Sequence, residues 1–170
     1  MVVGFQALDD HLALVLDVVD DQGADGRELI AFQVAGQEFC IEVMSVREIR
    51  GWTPATPLPN APPYVLGVVN LRGAVLPVID LGARLGLGAA KPSPRHVIVV
   101  AWIGERLVGL LVDSVCDIVT VTDAMIQPTP DVASEAVRSL VRGVLAFDQR
   151  MMSLLLLDHI LPASPTAEAA

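Results

Sequence analysis

The chain repeats itself. Ser45-Val46-Arg47-Glu48-Ile49 returns as Ser114-Val115-Cys116-Asp117-Ile118 at an offset of 69 residues. Gly36-Gln37-Glu38-Phe39 matches Gly104-Glu105-Arg106-Leu107 at 68, Gly67-Val68-Val69 matches Gly143-Val144-Leu145 at 76, and Asp80-Leu81 matches Asp158-His159 loosely at 78. The matches keep one order, and the growing offset places small insertions in the loops of the second copy. Each copy holds about five short apolar strings in roughly 60–70 residues, a marginal core by itself. Two small barrels packed together bury more, and closing each sheet hides the edges of a valine-rich chain. The expected fold is mainly β, built from two pseudo-symmetric five-stranded barrels with short helices and an N-terminal extension.

Glycine and proline set the element boundaries. Strands are expected at Leu29–Val34, Glu38–Val43, Val65–Leu71, Ala74–Asp80, His96–Trp102, Arg106–Val112, Ile118–Val121, Gly143–Phe147 and Met151–Leu157, and Glu48 ends another. In the second string Phe39, Ile41 and Val43 share one side, with Glu38, Cys40 and Glu42 on the other. Arg72-Gly73 turns a hairpin. Leu81–Leu85 is a helical turn and Glu135–Val141 a short helix. The prolines in Thr53–Pro63 exclude a helix or a central strand there, and Ala89–Pro94 and Pro128–Ala133 read as loops. Residues 28–161 form the domain, its first and second barrels interwoven, with approximate halves at 28–90 and 91–161. Residues 162–170 are a low-complexity tail.

The N-terminal stretch 1–27 differs. Phe5, Leu8, Leu12, Leu16 and Val19 recur at steps of three and four, which predicts an amphipathic helix. Asp20–Gly26 is a linker by composition. The plain reading is a loosely attached helix or frayed tail, and the sharper one a docking helix for a partner.

Eleven basic against 20 acidic residues give a net charge of −9, the wrong sign for a general nucleic-acid binder. The apolar run Met151–Leu157 is stopped by Asp158 and Pro162, well short of the ~20 residues that cross a bilayer. No basic residue opens the chain, so no signal peptide is expected. Cys40 and Cys116 lie far apart without metal spacing, which fits free thiols in the cytoplasm. His11, His96 and His159 have no ligand-spaced neighbours, and His96 and His159 read as surface or capping residues. Asp113 and Ser114 point opposite ways on a strand. Lys91-Pro92 breaks the dinucleotide pattern that Gly86-Leu87-Gly88 begins, and Asp17, Asp20, Asp21 and Asp25 lack calcium-loop spacing. No catalytic constellation, metal site or cofactor is expected. What stands out is Glu48 and Asp117 in equivalent places beside Val46/Ile49 and Val115/Ile118, a valine- and isoleucine-lined surface rimmed by charge.

Three stretches carry a resemblance: Glu48-Ile49-Arg50-Gly51-Trp52, Gly67-Val68-Val69-Asn70-Leu71-Arg72-Gly73 and Pro77-Val78-Ile79-Asp80-Leu81. With Leu58-Pro59-Asn60-Ala61-Pro62-Pro63 and Gly109–Val115, they make Leu29–Leu161 similar to the CheW family of chemotaxis coupling proteins. The resemblance implies two five-stranded SH3-like β-barrels with an apolar groove between them. It further implies a non-enzymatic cytoplasmic adaptor, coupling the cytoplasmic hairpin tip of methyl-accepting chemoreceptors to the regulatory domain of the histidine kinase CheA in membrane-associated arrays. Carried over by position, the receptor contacts are Val46, Glu48, Gly67, Arg72, Val115 and Ile118, with Gly67 admitting a partner helix and Arg72 anchoring the rim. Kinase contacts fall at Val97, Ile126 and Val132, and Gln127 stands where an arginine would suit a kinase salt bridge. The alternatives are the same adaptor in a pilus-type or other chemosensory pathway, or a small-ligand sensor using the groove as a pocket.

Overall fold

In the computed structural model, which describes residues 3–8, 13–18, 26–129, 135–147 and 149–161, the chain forms two sheets. The strands in chain order are β1 Val3–Leu8, β2 Ala13–Val18, β3 Arg27–Val34, β4 Gln37–Glu42, β5 Val46–Gly51, β6 Val65–Leu71, β7 Ala74–Asp80, β8 Val97–Ile103, β9 Arg106–Val112, β10 Ser114–Val121, β11 Ile126–Gln127, β12 Val141–Phe147 and β13 Arg150–Leu155. Two short helices, α1 Leu81–Arg84 and α2 Glu135–Leu140, lie where the sequence places them. One sheet runs β1-β2-β5-β8-β9-β7-β6 and the other β10-β3-β4-β13-β12-β11.

This topology makes the repeat structural and also rewires it. Hairpin β3–β4 belongs to the first half, yet it pairs with β10 and β13 of the second. Hairpin β8–β9 belongs to the second half and pairs with β5 and β7 of the first. Each barrel therefore borrows its hairpin from the other half. Residues 28–90 and 91–161 thus each contribute strands to both sheets. The pairing registers also correct the offsets. Both hairpin turns sit 69 apart, between Val34 and Gln37 and between Ile103 and Arg106, rather than 68. The helical turns begin at Leu81 and Leu157, 76 apart, so Leu156 rather than Asp158 is the counterpart of Asp80. The irregularities repeat as well: ladders slip between Val46 and Glu48 and between Val115 and Asp117, and again between Val65 and Gly67 and between Val141 and Gly143.

Exchange of hairpins explains the unbroken apolar strings. One face of β3 and β4 turns Leu29, Ala31 and Cys40 into the core of the barrel they share with β10, β12 and β13. The other turns Ile30, Phe32, Phe39 and Ile41 toward the barrel of the other sheet. β8 does the same, with Ile98 and Val100 in its own barrel and Val99 and Ala101 at the interface. The interface cluster is the largest of the three and draws on β3, β4, β5, β7, β8 and β9. At about 25 cal/mol per Å² of apolar surface, burial between the barrels is a main source of stability. Neither half can hold that cluster alone.

The helix expected in the N-terminal extension is not what forms. Val3–Leu8 and Ala13–Val18 run antiparallel, and β2 meets β5 at Leu14 and Ile49. Both runs carry β-branched or aromatic residues, Val3, Phe5, Val15 and Val18, which favour strands, and the free edge of β5 offers a ladder to extend. The tail 162–170 lies outside the described residues.

Candidate functional site

Asn70-Leu71-Arg72-Gly73 turns from β6 into β7. Arg72 at φ +54° and Gly73 at φ +86° give the two left-handed residues of a tight hairpin turn. The Asn70 side-chain oxygen accepts the Gly73 N–H at 2.9 Å. The turn puts Arg72 at an exposed tip, where its Nη1 donates to Glu48 Oε1 at 2.7 Å. Arg50 Nη1 reaches the other Glu48 oxygen at 3.3 Å. Glu48 itself is only 4 % exposed. Its carboxylate is committed to two guanidiniums of its own chain, and leaving it unpaired there would be costly. It holds Arg72 in place and offers no free edge to a partner.

Val46 opens β5, half-buried, with Arg47 as the extra residue of the bulge that follows. On β10, Val115 precedes a bulge at Cys116, and Ile118 lies just beyond. All three apolar side chains are partly exposed and pack on the interface cluster shared by the barrels. The structure thus gathers Val46, Val115 and Ile118 over one core from two barrels.

Gly67 has a different role from the one expected. Its φ is +146°, and a Cβ there would lie 2.2 Å from the Thr56 carbonyl oxygen. Thr56 and Val68 exchange two backbone hydrogen bonds of 2.8 Å. The space beside Gly67 is filled by the chain's own proline-bearing loop, so the glycine admits that loop and not a partner helix. Gly143, its counterpart, meets Gln127 and Ile126 of β11 in the same way.

The kinase-contact residues are not brought together. Val97 starts β8 against the interface cluster, at the opposite end of the β5–β8 ladder from Val46. Ile126 is on β11 against the core that β3 and β4 share with β10, β12 and β13. Val132 lies outside the described residues.

A second ion-pair cluster was not singled out from sequence beyond Asp117. Arg150 Nη1 and Nη2 donate to the two oxygens of Asp117 at 3.0 and 3.1 Å, and its Nε donates to Glu38 at 3.0 Å. These hydrogen bonds, that of Asp117 first, hold the guanidinium above its ordinary pKa. The signal was available: Asp117 is the repeat of Glu48, and Arg150 leaves the β12–β13 turn much as Arg72 leaves the β6–β7 turn.

His159 is exposed, as a surface reading implies, while His96 is partly buried and more engaged. His96 Nε2 lies 3.6 Å from Asp113, and its Nδ1 lies 3.3 Å from Ser93 Oγ. His96 and Asp113 border a cavity of about 170 Å³ that Asp80 also lines. Both Asp80 oxygens are used, accepting from Ala83 N–H at 3.2 Å and Ala90 N–H at 2.7 Å. A cavity of about 260 Å³ lies between Trp102 and Leu154–His159. Cys40 is fully buried and burial pushes its thiol up to about 12, while Cys116 is exposed, its thiol raised first by desolvation and then by Glu38.

Two interlocked barrels with a charged, apolar-lined rim define a scaffold of the chemosensory type, and comparison with known proteins makes the class specific. The CheW-like domain model matches residues 28–164, and the chain belongs to that family, the chemotaxis adaptors and scaffolds. It is 64 % identical over 145 residues to chemotaxis protein CheW of Rhizobium meliloti (strain 1021), covering 85 % of this chain and 93 % of the relative. It is 60 % identical over 134 residues to the probable chemotaxis protein CheW of Rhizobium etli, covering 79 % and 86 %. Among solved structures, the scaffolding protein TtCheW from Thermoanaerobacter tengcongensis superposes with a TM-score of 0.74 at 27 % identity, over 81 % of this chain and 93 % of that one.

Proposed function

We propose that this chain is a non-enzymatic cytoplasmic adaptor that joins the cytoplasmic hairpin tips of chemoreceptors to the histidine kinase CheA. The observation that carries the reading is the convergence of Val46, Val115 and Ile118, from two barrels, over one shared core beside an Arg72 held out by buried Glu48. Receptor helices would cover the three apolar side chains, a gain of roughly 25 cal/mol per Å² before the costs of association. Arg72 supplies donors at the rim. Glu48 and Gly67 act behind this surface, one fixing the arginine and the other seating the 53–63 loop. Val97, Ile126 and Val132 remain the proposed kinase contacts.

The test is calorimetric titration with a chemoreceptor cytoplasmic hairpin fragment. Micromolar binding weakened at least tenfold by Arg72→Ala and by Val115→Asp, with unchanged far-UV circular dichroism, supports the reading. Unchanged affinity in both variants overturns the site.

A further inference from the structure

The two rims of the groove repeat in position but not in charge. On the β5 side one carboxylate, Glu48, is held by two arginines, Arg50 and Arg72. On the β10 side one arginine, Arg150, is held by two carboxylates, Glu38 and Asp117. Formally the first cluster is +1 and the second −1. Arg47, exposed in the β5 bulge, adds to the positive side, where its counterpart Cys116 is neutral. Both clusters lie one bulge beyond the valine that each barrel sends to the shared core.

We propose that this opposition gives the groove a polarity that fixes which way round a helical partner lies in it. The partner that fits presents carboxylates toward the β6–β7 turn and lysine or arginine side chains toward β10 and the β12–β13 turn. An unpolarised pseudo-symmetric groove would accept an antiparallel helix pair in two orientations of nearly equal energy. Opposite charges on the two rims penalise one of them, since juxtaposed like charges disfavour the wrong register. The outward groups are available for this: Arg72 is 58 % and Asp117 47 % exposed. Arg150 is a positioning residue, because its bidentate grip fixes Asp117 while Glu38 takes its third donor.

The inference rests on the adaptor reading, and its test separates the two. First, paramagnetic broadening of backbone amides by small cationic and anionic nitroxides is compared in the isolated protein. Amides of 115–118 should favour the cationic probe relative to amides of 46–50 and 70–73, and equal ratios overturn the proposal. Second, Asp117→Asn and Glu38→Gln are titrated with the receptor hairpin fragment across salt concentration. Each should weaken binding about threefold to tenfold and flatten the salt dependence. Unchanged affinity and slope in both variants, with wild-type binding intact, overturn the orienting role. A polar surface with no hairpin binding by the wild type overturns the adaptor reading and this inference with it.

Discussion

Replacing Gly67 by alanine separates a structural glycine from a binding one. A Cβ at this position would sit 2.2 Å from the Thr56 oxygen, 2.5 Å from its carbonyl carbon and 2.9 Å from Pro57 N. To reach ordinary contact at 3.4 Å the loop must recede by about 1 Å. That movement breaks the two 2.8 Å bonds between Thr56 and Val68, each worth about 1 kcal/mol net. The φ of +146° adds strain of about 1–3 kcal/mol for a residue with a side chain. The sum is about 3–5 kcal/mol, which in a domain of this size lowers Tm by roughly 6–20 °C. Urea denaturation followed by circular dichroism measures it directly. Gly143→Ala meets similar atoms, Gln127 O at 2.6 Å and Ile126 Cγ2 at 2.7 Å, without the positive φ, and should cost less, about 1–3 kcal/mol. The reasoning is refuted if Gly67→Ala stays within 1 kcal/mol of wild type yet loses the receptor hairpin. The glycine would then face the partner and not the loop.

Three further outcomes follow from the same geometry. One thiol per native chain, that of Cys116, should react with a disulfide reagent, and the second only on unfolding; two fast thiols would contradict the burial of Cys40. Because the folded Cys40 thiol lies near 12 and the unfolded one near 9, the unfolded chain loses its proton first on going alkaline. Stability is therefore retained below about pH 9 and falls by up to about 1.4 kcal/mol per pH unit above it, a slope that Cys40→Ala should shallow in denaturant titrations against pH. Leu14→Pro removes a backbone donor from β2 where it meets β5, so amide exchange should quicken in the outward-facing β5 amides while the β8 and β9 amides stay protected; no change in β5 would place the N-terminal hairpin elsewhere.

What could be read in the residues was local. Glycine, proline and the Arg72-Gly73 turn delimited most strands to within a residue or two, and the repeat announced two equivalent units. That the two barrels interweave was expected, but which hairpins they exchange could not be read, because β3 with Phe32 and β8 with Ala101 bury both faces, and a strand without alternation does not say which sheet it joins. The N-terminal extension misled for a related reason. Phe5, Leu8, Leu12, Leu16 and Val19 at steps of three and four fit a helix, and the free edge of β5 decides for strands. At the site, Val46, Val115, Ile118 and Arg72 were legible as surface. Glu48 and Gly67 were legible as special, but their partners, Arg50 and the Thr56 carbonyl, are fixed by tertiary structure alone.

The hairpin exchange also explains why the groove can be a rigid platform. If each half closed its own barrel, the barrels would meet through a surface patch and could rock against each other. Here β3–β4 and β8–β9 are simultaneously walls of the barrels and the two sides of the interface cluster. The chain crosses between the two sheets at β4–β5 and again at β9–β10, so relative motion of the barrels is restrained by these crossings as well as by the interface cluster. Val46 and Val115 sit on strands paired directly to those hairpins, β5 to β8 and β10 to β3. Each valine is thus held by backbone pairing within its own sheet, and the interface cluster sets the spacing between the two. A partner seated across them meets a surface whose ordering cost was met on folding, the condition under which modest apolar area yields useful affinity.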